Sequence, residues 1–127
     1  MLKILAIDDS KAVHAFLNTC FTNAKVTLTH TYNGKEGSDL LATDITAFDL
    51  ILLDWEMPVM DGPTTLDTLR KLGVKAPVLM MTTRNAPQDI MLMIGKGASD
   101  FVLKPFTADL LQHKIEETLG KGLSDVA

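Results

Sequence analysis

Cysteine is almost missing from this chain. Cys20 stands alone among 127 residues, which excludes an internal disulfide and a cysteine-rich metal site and fits a reducing compartment. The opening, MLKILAIDDS, has neither the long apolar core nor the small-residue cleavage site of a signal peptide. No apolar run approaches the roughly 18 residues that a membrane span needs. Basic clusters are short, none longer than the pair Arg70–Lys71, and the net charge is −4, which argues against a nucleic-acid surface. There is no internal repeat and no low-complexity tract. These absences predict a soluble, cytoplasmic protein that neither inserts into a membrane nor binds nucleic acid.

What is present suits one domain over residues 1–127. The length falls in the single-domain range, and 46% of the residues are apolar, enough for a core without cross-links. The core is expected over about 2–119, with GKGLSDVA, 120–127, as a C-terminal tail. Short, nearly continuous apolar runs stand at 2–7 (LKILAI), 49–53 (DLILL), 77–81 (PVLMM) and 101–103 (FVL). Such runs suit strands buried on both faces, as in a parallel sheet covered by helices. VTLTHT, 26–31, alternates instead and reads as an edge strand. Helical patterns fill the gaps. Ser10 caps one running to about Asn23, with Val13, Phe16, Leu17, Cys20 and Phe21 on its stripe. Asn33 caps a second. Pro63 opens a third that Gly73 ends. Asn85 and Pro87 open a fourth. Thr107 caps a fifth with Leu110, Leu111, Ile115 and Leu119 on one stripe. Strand and helix thus alternate five times, which predicts an open α/β domain with right-handed crossovers and helices on both faces.

Polar residues collect at the C-terminal ends of these strands: Asp8 and Asp9 after the first, Asp54 after the third, Thr82 and Thr83 after the fourth, and Lys104 after the fifth. Only the second strand adds no obvious group. Ligands of open α/β sheets bind outside these ends. If the first and third strands are neighbours, three carboxylates converge, and they stay ionised together only beside a cation. Oxygen-only ligands favour a hard cation such as Mg²⁺. A lysine and a threonine hydroxyl beside it suit a phosphate. The set fits phosphoryl transfer with a carboxylate as nucleophile, since no serine, cysteine or histidine forms a convincing nucleophile–base pair there.

Together, AIDDS, LLDWEMPVMDG, PVLMMTT and GASDFVLKPF resemble the receiver domain of bacterial two-component response regulators, over about residues 2–119. The stand-alone chemotaxis members are the nearest likeness. The resemblance implies a flavodoxin-like (βα)5 fold of strand order 2-1-3-4-5. It implies that Asp54 accepts a phosphoryl group from a histidine kinase or phosphotransfer protein. Asp9 and Asp54 would hold Mg²⁺ with the main-chain carbonyl of Glu56, and Asp8 would act through water. Lys104 would pair with the phosphate, Thr82 would move toward it and Phe101 would rotate inward behind it. The face formed by the fourth helix, fifth strand and fifth helix would then change its binding to a target protein. Glu56, Thr83 and Arg84 would tune the phosphoryl lifetime. Thr83 stands where the family usually has a smaller residue, and Phe101 where tyrosine is frequent. Glu56 and Arg84 are expected to pair across the mouth of the site. Such a protein turns over no external substrate. A phosphate sink, a relay intermediate and a receiver cut from a larger regulator are alternatives within the family. An aspartate-based Mg²⁺ phosphatase and a flavin carrier are alternatives outside it. The phosphatases usually carry their acids after the first strand, and DDSKAV is too acidic for a flavin phosphate loop.

Several residues carry plainer readings. Asp61 with Gly62 reads as turn chemistry. Trp55 is expected partly exposed beside the site. His14, His30 and His113 are expected at surface or edge positions, and Cys20 in the core. The run IMLMI, 90–94, sweeps the whole circumference of a helix. Part of it must therefore face outward, and Ile90, Met91, Met93 and Ile94 are read as a docking patch for a target or a second copy of the chain.

Overall fold

A computed structural model of the chain describes residues 1–22 and 25–122. The elements run β1 (Leu2–Ile7), α1 (Lys11–Cys20), β2 (Val26–Thr31), α2 (Gly34–Thr43), β3 (Leu50–Asp54), α3 (Gly62–Leu72), β4 (Val78–Thr82), α4 (Pro87–Gly95), β5 (Asp100–Leu103) and α5 (Ala108–Leu119). The strands form one parallel sheet in the order β2-β1-β3-β4-β5, the order expected of the flavodoxin-like fold. Among the described residues no helix is long and apolar enough to cross a membrane.

The continuous apolar runs follow from burial on both faces. Successive side chains of a strand point to opposite sides. Ile4, Ala6, Leu50, Leu52, Leu79 and Met81 therefore pack on one side, with Leu17 of α1 and Leu111 and Ile115 of α5. Leu5, Ile7, Ile51, Leu53 and Met80 pack on the other, with Leu41 of α2, Leu66 and Leu69 of α3 and Met93 of α4. Each fully buried aliphatic side chain contributes about 1.5–3 kcal/mol. Strand β2, at the edge, is buried only in part, as its alternation implies.

Local signals place the helices. Side chains of Ser10, Asn33, Asp61 and Thr107 accept from the main-chain N–H three residues on, each cap being worth about 1 kcal/mol. Gly73 and Gly120 end α3 and α5 in the left-handed conformation, at φ 92° and 71°. Helix α4 departs from expectation. Ala86, not Asn85, is its cap residue, without a side-chain bond, and Pro87 sets its first turn. Helix α1 stops at Cys20, and residue 23 lies outside the described residues, as does 123–127 of the tail. The Thr19 and Thr22 hydroxyls bond back to the carbonyls of Phe16 and Thr19 there, local bonds that compete with helix continuation.

Five expected positions are corrected. Phe16 is exposed and leans on Phe106, ring centroids 5.8 Å apart. His14 takes the inward place on α1 and is buried, not at the surface. Leu110 is exposed, while Leu111 and Ile115 carry the inner stripe of α5. Trp55 is buried, because it continues the inward alternation of Ile51 and Leu53 past the strand end. Met93 is buried under α4 and cannot belong to a surface patch. Met91, Leu92 and Ile94 are exposed and Ile90 is half-buried.

Candidate functional site

Strand order brings β1 beside β3, with Ile7 opposite Leu53, so the chain ends of these two strands share one crevice. Asp8 and Asp9 follow β1, Asp54 is the last residue of β3, and Thr82 is the last of β4. One carboxylate oxygen from each of Asp8, Asp9 and Asp54 lies within 4.8 Å of the others. Asp8 and Asp54 are buried and Asp9 is exposed. The crevice has a volume of about 220 Å³ and is lined by these acids with Trp55, Glu56, Thr82, Thr83 and Lys104.

Lys104 joins the two buried acids. Its Nζ donates to Asp8 Oδ2 at 2.9 Å and to Asp54 Oδ1 at 3.0 Å. Its own main-chain N–H donates to the Thr82 carbonyl at 2.8 Å, which extends the β4–β5 ladder to the lysine. The following peptide, Lys104–Pro105, is cis. Asp8 Oδ1 accepts from the Ser10 N–H at 2.8 Å. The Thr82 hydroxyl oxygen accepts from the Arg84 N–H at 2.9 Å, and Thr82 is buried.

The electrostatics follow from this packing. Burial, and then the Asp8 charge, push the Asp54 carboxyl up to about 6, with Asp9 adding to the rise and Lys104 opposing it through its hydrogen bond and charge. Burial acts to lower the Lys104 ammonium, but hydrogen bonds to Asp8 and Asp54, with their charges, outweigh it and leave it raised. One lysine thus only partly offsets three clustered acids. The donor set is all oxygen, and a further hard cation fits both its chemistry and its unbalanced charge.

At the mouth, Arg84 pairs with Glu56 at 2.9 Å, as expected, and its guanidinium carbon lies 4.7 Å from the Trp55 ring centroid. Thr83 is exposed and lines both the crevice and an apolar groove of about 440 Å³ beside it, between α1 and the β5–α5 connection. Phe101, on β5 opposite Met80 of β4, is half-buried against the core. Asp61 stands apart as the cap of α3. Ile90, Met91, Met93 and Ile94 lie on α4, away from the crevice. His113 is exposed and pairs with Glu117 at 3.2 Å. His14 was missed as a neighbour of the site. Its Nε2 meets the Asp8 carbonyl at 2.7 Å, and the available signal was its spacing with Leu17 and Phe21 on the inner stripe of α1.

Residues 4–116 match the response regulator receiver domain. The "Chemotaxis protein CheY homolog" of Campylobacter jejuni is 28% identical, over 99% of this chain and 98% of its own length. The "Sensor histidine kinase CheAY" of Helicobacter pylori is 31% identical over 91% of this chain, which spans only 15% of that relative's length. A solved structure of the Vibrio cholerae chemotaxis protein CheY4 superimposes with a TM-score of 0.86 at 27% identity, covering 94% of this chain and 99% of the other.

Proposed function

The chain belongs to the response regulator receiver family, and from that premise we propose that Asp54 accepts a phosphoryl group from a histidine kinase or a phosphotransfer protein. The observation that carries this reading is the pair of hydrogen bonds that Lys104 donates to Asp8 and Asp54 inside a crevice of three acids. An Asp54 carboxylate oxygen attacks phosphorus, the donor's P–N bond breaks, and the imidazole leaves with the electron pair of that bond. Asp54 becomes an acyl phosphate. Lys104 is placed to follow the charge from the carboxylate to the phosphoryl oxygens. Asp9 and Asp54, with the main-chain carbonyl of Glu56, would hold Mg²⁺ directly, and Asp8 through water. Bound there, Mg²⁺ supplies positive charge against the acids and the incoming phosphoryl group.

The phosphoryl group then draws the Thr82 hydroxyl away from the Arg84 N–H, and Phe101 moves further inward behind it. The change is read on the face of α4, β5 and α5, where Met91, Leu92, Ile94, Leu103 and Leu110 are exposed. A downstream protein is the proposed occupant, and a second copy of the chain is the other. The apolar groove beside Lys104 offers the phosphodonor protein a seat next to the acids. The chain turns over no external substrate in this reading. Its buried imidazole, His14, faces the Asp8 carbonyl and His30 rather than the crevice. Chemotaxis is the proposed output, supported by end-to-end likeness to the Campylobacter protein, with a cytoplasmic location. The second reading, a receiver serving as phosphate sink, relay or part of a larger regulator, is favoured by the likeness to a longer sensor kinase.

Trp55 lines the crevice and reports on it. Beryllofluoride added with Mg²⁺ is expected to give a saturable fluorescence change that is absent without Mg²⁺ and absent in Asp54→Asn. An unchanged signal, with no mass gain from acetyl phosphate, would reject Asp54 as the acceptor. Sedimentation with the mimic separates the two occupants of the α4 face, since a monomer leaves only the heterologous target.

A further inference from the structure

Strand β2 sends no side chain into the acid crevice, yet it is tied to the crevice through two histidines. The carbonyl of Asp8 can only accept, so the His14 Nε2 that meets it at 2.7 Å carries the proton and donates. The other nitrogen of that ring, Nδ1, meets Nδ1 of His30 on β2. His30 Nε2 in turn lies 2.9 Å from the Asn18 side-chain oxygen, back on α1. Tyr32 packs against the His14 ring with centroids 4.4 Å apart. The imidazole is held at both nitrogens and by an aromatic neighbour.

What it holds is the peptide that joins the first two acids. Asp8 is fully buried. Its N–H donates to the Thr31 carbonyl at 3.2 Å, its Oδ1 accepts from Ser10 and its Oδ2 from Lys104. The carbonyl is the remaining polar atom, and His14 satisfies it. Take that donor away and a buried carbonyl loses its partner, which is costly. The peptide then gains by turning toward another donor, and turning it moves Asp9 against Asp8. The strand that seemed to contribute nothing therefore helps to aim two of the three acids.

We propose that His14, oriented by His30, is a positioning residue of the acid crevice, fixing the Asp8–Asp9 peptide so that both carboxylates face a bound divalent cation. This rests on the receiver reading above. Packing alone would predict that any side chain of similar bulk serves at position 14. Positioning predicts that only a side chain with an N–H at the place of Nε2 does.

The test is a MgCl2 titration followed by amide NMR, which reads folding and the Mg²⁺ dissociation constant in the same spectra. Wild type comes first, and absence of Mg²⁺-dependent shifts there would overturn the acid-site reading itself, before any variant is compared. In His14→Leu the constant is expected to rise about fivefold, the worth of one net hydrogen bond. In His14→Gln, whose terminal N–H reaches about as far as Nε2, it is expected within about twofold of wild type. His30→Leu, on the half-buried edge strand, is expected to raise it with the fold intact. A folded His14→Leu variant with the wild-type constant would overturn the proposal. If that variant does not fold, an unchanged constant in His30→Leu overturns it instead. A Gln variant as weak as Leu would likewise reject the hydrogen bond as the cause.

Discussion

Gly62, the first residue of α3, lies against the carbonyl of Asp54: a Cβ built on Gly62 would come 2.5 Å from that oxygen and 2.7 Å from the Trp55 Cα. The Gly62 N–H closes the same loop by donating to the Trp55 carbonyl at 2.6 Å. Both obstacles are main chain and cannot swing aside. Gly62→Ala must therefore push α3 off the end of β3, and overpacking of this kind costs about 1–3 kcal/mol. Urea unfolding should show a lowered midpoint. Because the clash is with main-chain atoms of Asp54 and Trp55, the Trp55 emission of the folded variant should differ too. A wild-type midpoint would mean that the loop from 55 to 61 relaxes freely, and that the close approach does not position the acid.

Asp54 should make stability depend on pH in an unusual direction. Its folded carboxyl stands near 6, above the ordinary 3.8. Between those values the folded state binds the proton more tightly than the unfolded state, so stability falls as pH rises through this window. Above about pH 6 the ionised group costs the folded protein up to about 3 kcal/mol. Asp54→Asn removes that cost. Without divalent cations the variant should exceed wild type in urea midpoint at pH 7.5, and the gap should close below about pH 4. Mg²⁺ should stabilise wild type more than the variant, narrowing the gap at neutral pH. A gap that persists at low pH would assign the gain to packing rather than to charge.

Much of the site was legible because its parts sit where apolar runs stop. Asp8, Asp54, Thr82 and Lys104 each mark the end of a strand whose run announces itself, and strand order then forces them together. On α4 the error arises because a periodic pattern fixes a face only when polar residues interrupt it. The run 90–94 has no interruption, so only its packing reveals that Met93 points inward while Met91 and Ile94 do not. Trp55 was readable from the alternation of Ile51 and Leu53, but its place after an acid suggested a loop. His14 was hidden by its chemistry, since a histidine on an inner stripe looks polar until its two partners are known. Those partners, the Asp8 carbonyl and His30, are tertiary facts without a local signature.

Val59 is the one non-glycine residue with positive φ among the described residues, at 70°. It centres a tight turn in which the Met60 N–H donates to the Pro58 carbonyl at 2.7 Å. A β-branched residue is strained there, at a cost of about 1–3 kcal/mol. The residue is 78% exposed, so little packing offsets the strain. Glycine would relieve it but adds about 0.5–1 kcal/mol of chain entropy to the unfolded state. Val59→Gly is therefore expected to gain about 1 kcal/mol in urea unfolding, with an unchanged slope. A loss of stability would show that the valine side chain makes a contribution its exposure does not suggest.

The mouth of the crevice separates stability from lifetime. The Arg84–Glu56 pair has side chains 41% and 68% exposed, and exposed pairs are worth only about 0–1 kcal/mol. The stacking of Arg84 on Trp55 adds about as little at such a site. Arg84→Ala should thus leave the unfolding midpoint almost where it was. Under the proposed function, however, the guanidinium over Trp55 and Thr83 at the crevice would narrow the path by which water reaches an acyl phosphate on Asp54. Both Arg84→Ala and Thr83→Ala should therefore lose the phosphoryl group several-fold faster than wild type after acetyl phosphate is removed, followed by intact mass. If Arg84→Ala alone is faster, the Arg84 side chain is the barrier and the Thr83 methyl is not. If neither is faster, water enters by another route, and the lifetime is set by the groups that hold the phosphate rather than by those that cover it.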